Sequence, residues 1–200
     1  MSGHNFWGGW VQSPKAGEPV PDNHATQRHR GWDAIKLSDD QLQMVQRLAW
    51  QTAGGQRLIH ERRTLSIPRI DEQAGWWMLD LEFNLKNVHT DTLCLASPQT
   101  MGHRSASYGG LYWRGPWSFL GGTVLGSNNR EGIEQLGLPS PWLAYIGRHD
   151  GSLRQSTLVI ADHPDNPRHP TRWFVRNSGY PGMGPALCMR KTTFCHVILN

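Results

Sequence analysis

Residues 76–87 alternate strictly. Trp77, Leu79, Leu81, Phe83 and Leu85 are apolar, with Asp80, Glu82, Asn84 and Lys86 between them. Successive side chains of a β-strand point to opposite faces, so this spacing predicts a strand with one buried and one wet face, as in an antiparallel sheet. A helix would scatter the same residues around its circumference. The chain also holds 22 Gly and 13 Pro, which interrupt long helices and favour short strands joined by turns. In 41–50, Leu42, Met44, Leu48 and Trp50 again fall on alternate positions. Gly54-Gly55 then turns the chain and 56–67 returns, which predicts a β-hairpin. Further strands are expected at 26–37, 92–97, 111–114, 142–147, 155–161 and 172–176. Residues 115–141 are expected to be an irregular excursion, and 131–136 is the one helix candidate. Pro164, Pro167 and Pro170 forbid a strand at 163–170. Many short strands with turn chemistry between them imply an all-β chain, an antiparallel β-sandwich, in a single domain over 1–200.

A 200-residue chain buries enough surface to fold without disulfides or metals. Ten Trp suit either bulky packing between sheets or flat platforms for a ligand. No apolar run approaches bilayer length, so no membrane partner is expected. Met1-Ser2-Gly3-His4 opens no secretory leader. Cys94, Cys188 and Cys195 form no Cys-x-x-Cys pair, and a reducing, cytoplasmic setting is the expectation. The net charge is +4, with the arginines dispersed as Arg28 and Arg30, Arg62 and Arg63, Arg168 and Arg172. Without a block of like charges, no nucleic-acid partner is expected.

The usual enzyme motifs are missing: no Gly-x-Ser-x-Gly elbow, no P-loop, no Gly-x-Gly-x-x-Gly after a strand and no His-Glu-x-x-His. The ten His are spaced loosely (His24 and His29, His163 and His169), so no converging metal-ligand set is expected, and the cofactor stays unassigned. The most distinctive segment runs from His163 to Trp173, where three prolines stiffen a loop. Such a loop can hold His163, Asp165, Asn166, Arg168 and His169 in preset directions, as a polar ligand site requires. The plainer alternative is that Asp165 and Asn166 only cap a turn. A second constellation joins His103, Arg104 and Tyr108 to Gly109-Gly110 and to Trp113-Arg114. Small residues admit a ligand close to the backbone, while Tyr and Arg offer flat faces and a planar fork. Trp113 and Trp117 are expected in the core between sheets, with Trp76-Trp77 as packing residues. A third pair of segments, around His4 and around His29, alternates polar and aromatic residues.

Several strings together carry a resemblance. His4-Asn5-Phe6-Trp7-Gly8-Gly9, Arg28-His29-Arg30-Gly31-Trp32, Ser97-Pro98 with Thr100 and Gly102, Tyr108-Gly109-Gly110 with Trp113-Arg114, Pro141-Trp142-Leu143-Ala144 and, most specifically, Asp162-His163-Pro164-Asp165-Asn166-Pro167-Arg168-His169-Pro170-Thr171 resemble the bacterial PmoA-like family, named for methane oxygenase. The match runs in order over about 3–180. Its name would suit a membrane subunit, and this chain offers no span for one. The resemblance implies an all-β chain akin to part of a mutarotase-like supersandwich. It also implies an upstream β-rich segment and closing strands after about residue 185, so the chain is expected to be truncated at both ends, with 186–200 an atypical tail.

The leading expectation is a site for a small polar molecule, a carbohydrate or related oxygenated metabolite. His4, His29, His103, Arg104, Tyr108, Arg114, Asn166 and Arg168 would line it. If the site is catalytic, His163 or His169 is the general acid or base, Asp165 orients the imidazole, and an arginine stabilises developing negative charge. The alternatives are a non-catalytic binding or structural module and, following the family name, metal-dependent oxidation.

Overall fold

The computed structural model describes residue 6 and residues 24–39, 41–97, 99, 109–186 and 197–199. Strands dominate the described residues. Among the described residues helical geometry is confined to short 3-10 turns such as Trp117–Phe119 and Gly132–Gln135, and no helix is long and apolar enough to cross a membrane. The chain divides into two compact units, 1–94 with 198–200, and 95–197.

The first unit is an antiparallel meander of four long strands, β1 (Ala25–Leu37), β2 (Leu42–Thr52), β3 (Arg57–Asp71) and β4 (Trp76–Asn87), hydrogen-bonded in that order. The tight β2–β3 turn uses Gly55 at a φ of 85°, where glycine meets no steric penalty. Register sorts the residues onto two faces. On one, Leu48, Glu61 and Leu85 stand in a row, as do Met44, Leu65 and Leu81; on the other, Arg47, Arg62 and Asn84 stand in a row, as do Ala49, His60 and Lys86. The apolar face holds one buried acid. The Glu61 carboxylate accepts hydrogen bonds from Trp50 Nε1 and Arg63 Nε, each at 2.6 Å. A buried charge demands such partners, because desolvation otherwise costs several kcal/mol.

The alternation at 76–87 does form a strand, but its apolar face is not buried. Trp77, Leu79 and Phe83 are 62, 42 and 42% exposed. Burial needs a second layer, and the described residues of the first unit supply none over these side chains. The expectation that Trp76-Trp77 is packing is corrected with it: Trp77 is open, and Trp76 carries the Arg69 guanidinium 4.9 Å above its ring.

The strand β5 (Leu93–Leu95) pairs with β12 (Val197–Leu199) in a two-stranded sheet. The second unit consists of two further antiparallel sheets. One has the order β10 (Trp173–Arg176), β11 (Gly182–Pro185), β6 (Trp113–Arg114); the other is β7 (Thr123–Gly126), β8 (Trp142–Arg148), β9 (Gln155–Ala161). Both supply one core. Val124, Leu143 and Tyr145 from the second sheet meet Trp173, Val175 and Met183 from the first, with Phe119 beside them. Each such side chain contributes about 1.5–3 kcal/mol on burial. The polar ends are satisfied: Tyr145 Oη donates to Phe119 O at 2.9 Å and Trp173 Nε1 to Ser140 O at 2.7 Å. The chain is therefore all-β, and its second unit is an antiparallel β-sandwich.

Besides β12 in the tail, two strands run through segments where the sequence suggests none. β7 lies inside the 115–141 excursion, and β11 (Gly-Met-Gly-Pro) has one large side chain to signal a face. Polar groups hold the rest of the excursion. Gln135, fully buried, donates to Asn128 Oδ1 at 2.8 Å and to Arg130 O at 2.5 Å. The helix expected at 131–136 is a single 3-10 turn, too short to bury a face. Trp113 packs against the core as expected, whereas Trp117 is 65% exposed.

Candidate functional site

The proline-braced loop joins β9 to β10. Its organising group is Asp162, one residue beyond β9, whose side chain is 4% exposed. Oδ2 accepts the Thr171 N–H at 2.8 Å and His169 Nδ1–H at 2.9 Å, while Oδ1 accepts Asn166 Nδ2 at 2.9 Å. This arrangement fixes the imidazole plane and its tautomer, leaving Nε2 as the free nitrogen of a ring that is 26% exposed. The residue that orients His169 is thus Asp162 rather than Asp165. Asp165 is 93% exposed and stands 3.8 Å from His163 Nδ1, beyond hydrogen-bonding reach. Moreover, His163 Nδ1 accepts the Asp165 N–H at 3.2 Å, so that ring caps the turn. Asn166 is likewise tied to Asp162. Arg168 is exposed, with a φ of 68° that a non-glycine residue seldom adopts.

Arg114 belongs to a different place. It lies opposite Gly182, which lies opposite Arg176 on the next strand. Paired residues project from the same side, so the two arginines flank a position without a side chain. This is the face of the β10–β11–β6 sheet opposite Trp113, Val175 and Met183. Both guanidiniums rest on one ring: the Arg114 carbon is 4.7 Å and the Arg176 carbon 4.6 Å from the centroid of Tyr180. The two are therefore at most about 9 Å apart, each within cation–π range of the same ring. Arg114 also approaches the exposed ring of Trp117 at 6.0 Å. A Cβ on Gly182 would collide with Tyr112 Oη, so glycine is what lets that hydroxyl lie in the row. Burial and then the neighbouring Tyr180 hydroxyl push the Tyr112 phenol far above its ordinary range; the positive charges of Arg176 and Arg114 act against that shift. Neither arginine forms an ion pair among the described residues.

Arg172 and Arg176 are four residues apart on an extended segment, about 13 Å. Arg114 and the proline-braced loop therefore stand at opposite ends of β10. His29 lies in the first unit on β1, bonded through Nδ1 to Gln46 Nε2 at 2.8 Å and packed on Trp32 at 5.1 Å. His4, His103, Arg104 and Tyr108 lie outside the described residues. The sequence reading missed Asp162, Arg176 and Tyr180. Asp162 had a signal, since an acid at a strand end before His-Pro is placed to cap the loop. Arg176 and Tyr180 join Arg114 only through sheet register, which no local pattern reveals.

No curated protein and no solved structure matches this chain. Residues 1–194 match the model of a family described as a family of unknown function, DUF6807. With nearly the whole length covered, the chain belongs to the DUF6807 family.

Proposed function

We propose that the chain binds a small oxygenated ligand carrying a carboxylate, of the sugar-acid type, on the Arg114–Tyr180–Arg176 face of the second unit. The observation that carries this reading is the convergence of two guanidiniums, neither in an ion pair among the described residues, on one tyrosine ring beside an exposed tryptophan. Guanidinium offers a planar fork that matches a carboxylate. Trp117 offers an apolar face to the C–H side of a sugar ring. Kinship with PmoA-like proteins, proposed from the motifs, includes Arg114 and neither Arg176 nor Tyr180. The test is calorimetric titration with glucuronate and galacturonate beside the neutral sugars glucose and galactose. The acids should bind and the neutral sugars should bind at least tenfold more weakly. Arg176→Gln should abolish the preference, whereas Trp117→Ala should weaken acid and neutral sugars alike. Equal affinity for acid and neutral sugar would end the proposal.

A second reading rests on the Asp162–His169 pair. An imidazole held by a buried carboxylate can take up and release a proton at Nε2, as the opening and closing of a sugar ring requires. Exchange between the anomers of galacturonate, followed by nuclear magnetic resonance, should be faster with the protein than without it and should return to the background rate with His169→Gln. An unchanged rate with the wild-type chain would remove this role.

A further inference from the structure

The four-stranded sheet of the first unit carries an open groove of about 410 Å³ on its polar face. Its lining includes five cationic side chains, Arg30, Arg47, Arg57, Arg62 and Lys86, drawn from all four strands. The two carboxylates at the groove are already engaged. Glu61 turns its acid to Arg63 and Trp50 on the opposite face. Asp33 holds Arg47 Nε at 2.6 Å and Arg62 Nε at 3.8 Å, which relieves the repulsion of two arginines placed directly opposite each other. Arg30, Arg57 and Lys86 form no ion pair among the described residues. His60, opposite Lys86, is exposed beside them. The backbone accommodates this arrangement: Gly31 sits at a β1 bulge with φ 141°, and a Cβ there would come within 3.0 Å of the Arg47 guanidinium. Three cations in one concavity with no ion pair among the described residues repel one another, and a bound anion relieves that repulsion.

We infer that this groove is a binding site for a small ligand bearing two phosphate groups. Arg30 on β1 and Lys86 on β4 are three strand spacings apart, about 14 Å at the backbone, so a ligand with two anionic groups engages both ends of the groove without either long side chain folding across it. Two linked phosphates meet that description, and the groove volume suits a ligand of that size. Lysine serves as a point charge and arginine as a fork for such groups. The site is independent of the carboxylate site on the second unit.

Pyrophosphate and orthophosphate are the probes, titrated into the full chain at low salt. Pyrophosphate should bind at least tenfold more tightly than orthophosphate, and its affinity should fall as salt rises. The double variant Arg57→Gln/Lys86→Gln, altered only at exposed positions, should lose about tenfold or more of that affinity. Asp33→Asn releases Arg47 and Arg62 and should tighten pyrophosphate binding, a gain that misfolding cannot imitate. Unchanged affinity in the double variant would overturn the inference. So would a single-stranded oligonucleotide that displaces pyrophosphate with an affinity growing with its length, since that marks an extended nucleic-acid surface instead of a bounded site.

Discussion

Replacing Asp162 by alanine separates the loop seen in the structure from the loop that the motif suggests. The substitution removes three hydrogen bonds at once. Asn166 is exposed and regains water, so its loss costs little. His169, about a quarter exposed, regains water in part and loses about 1 kcal/mol. The Thr171 N–H does not: Thr171 is 2% exposed, and an orphaned buried donor costs about 1–3 kcal/mol. Together these predict a loss of about 3 kcal/mol. Asp162→Asn keeps an acceptor for Thr171 and His169 and should cost about 1 kcal/mol. Asp165→Ala, at a side chain 93% exposed, should stay within about 0.5 kcal/mol. Urea unfolding followed by circular dichroism gives all three values from shifts in midpoint at constant slope. Equal losses for Asp162→Ala and Asp165→Ala, or a loss below 1 kcal/mol for Asp162→Ala, would refute the assignment of Asp162 as the organising carboxylate.

Arg63→Met strands the Glu61 carboxylate in an apolar face and should cost about 3–5 kcal/mol, while the pair Arg63→Met/Glu61→Leu recovers most of it; a double-mutant cycle in urea measures the coupling. Gly147→Ala drives a methyl group into the Phe119 ring at the core and should lose about 1–3 kcal/mol or more, read as a lowered melting temperature. Tyr112 and Tyr145 both have phenol pKa values raised by burial. The unfolded chain therefore releases protons near pH 10 that the native one keeps. Stability from these groups is complete below about pH 10 and declines as pH climbs toward the raised native values. Tyrosinate absorbance should consequently reach its full four-residue amplitude only as the protein unfolds, and Tyr112→Phe should soften the alkaline loss.

The fold class was legible because alternation at 76–87 and at 41–50 is a local signal, and strand boundaries followed from prolines and glycines. What the pattern could not report is whether a second layer exists. Leu79 and Phe83 have the spacing of buried residues and are exposed, since burial depends on what packs above the strand. β11 escaped for the converse reason: its glycines are required by Tyr112 and Leu111 lying across them, a contact with no trace in the local sequence. The loop at 163–170 is legible as a stiff, polar segment, and its organising acid, Asp162, opens the same motif string but precedes the proline-braced stretch from which the site residues were drawn. His163 and Asp165 occupy the motif and only shape the turn.

Charge along the chain and charge across the sheet are different quantities. In the linear sequence Arg47 and Arg62 are 15 positions apart, and Arg114 and Arg176 are 62 apart, so no run of like charge appears. Antiparallel pairing puts Arg47 directly beside Arg62, and one empty glycine position between Arg114 and Arg176. A slip of one residue between β10 and β11 would reverse this, because it sends alternate side chains to the other face. Met183 would leave the core as Gly182 entered it. The packing of Trp173, Val175 and Met183 therefore locks the register that brings the two guanidiniums together, and the same coupling of core to surface holds for Leu48 and Arg47 in the first unit. Each cationic site is a by-product of which residues the opposite face must bury, which is why substitutions in the core should move ligand affinity as well as stability.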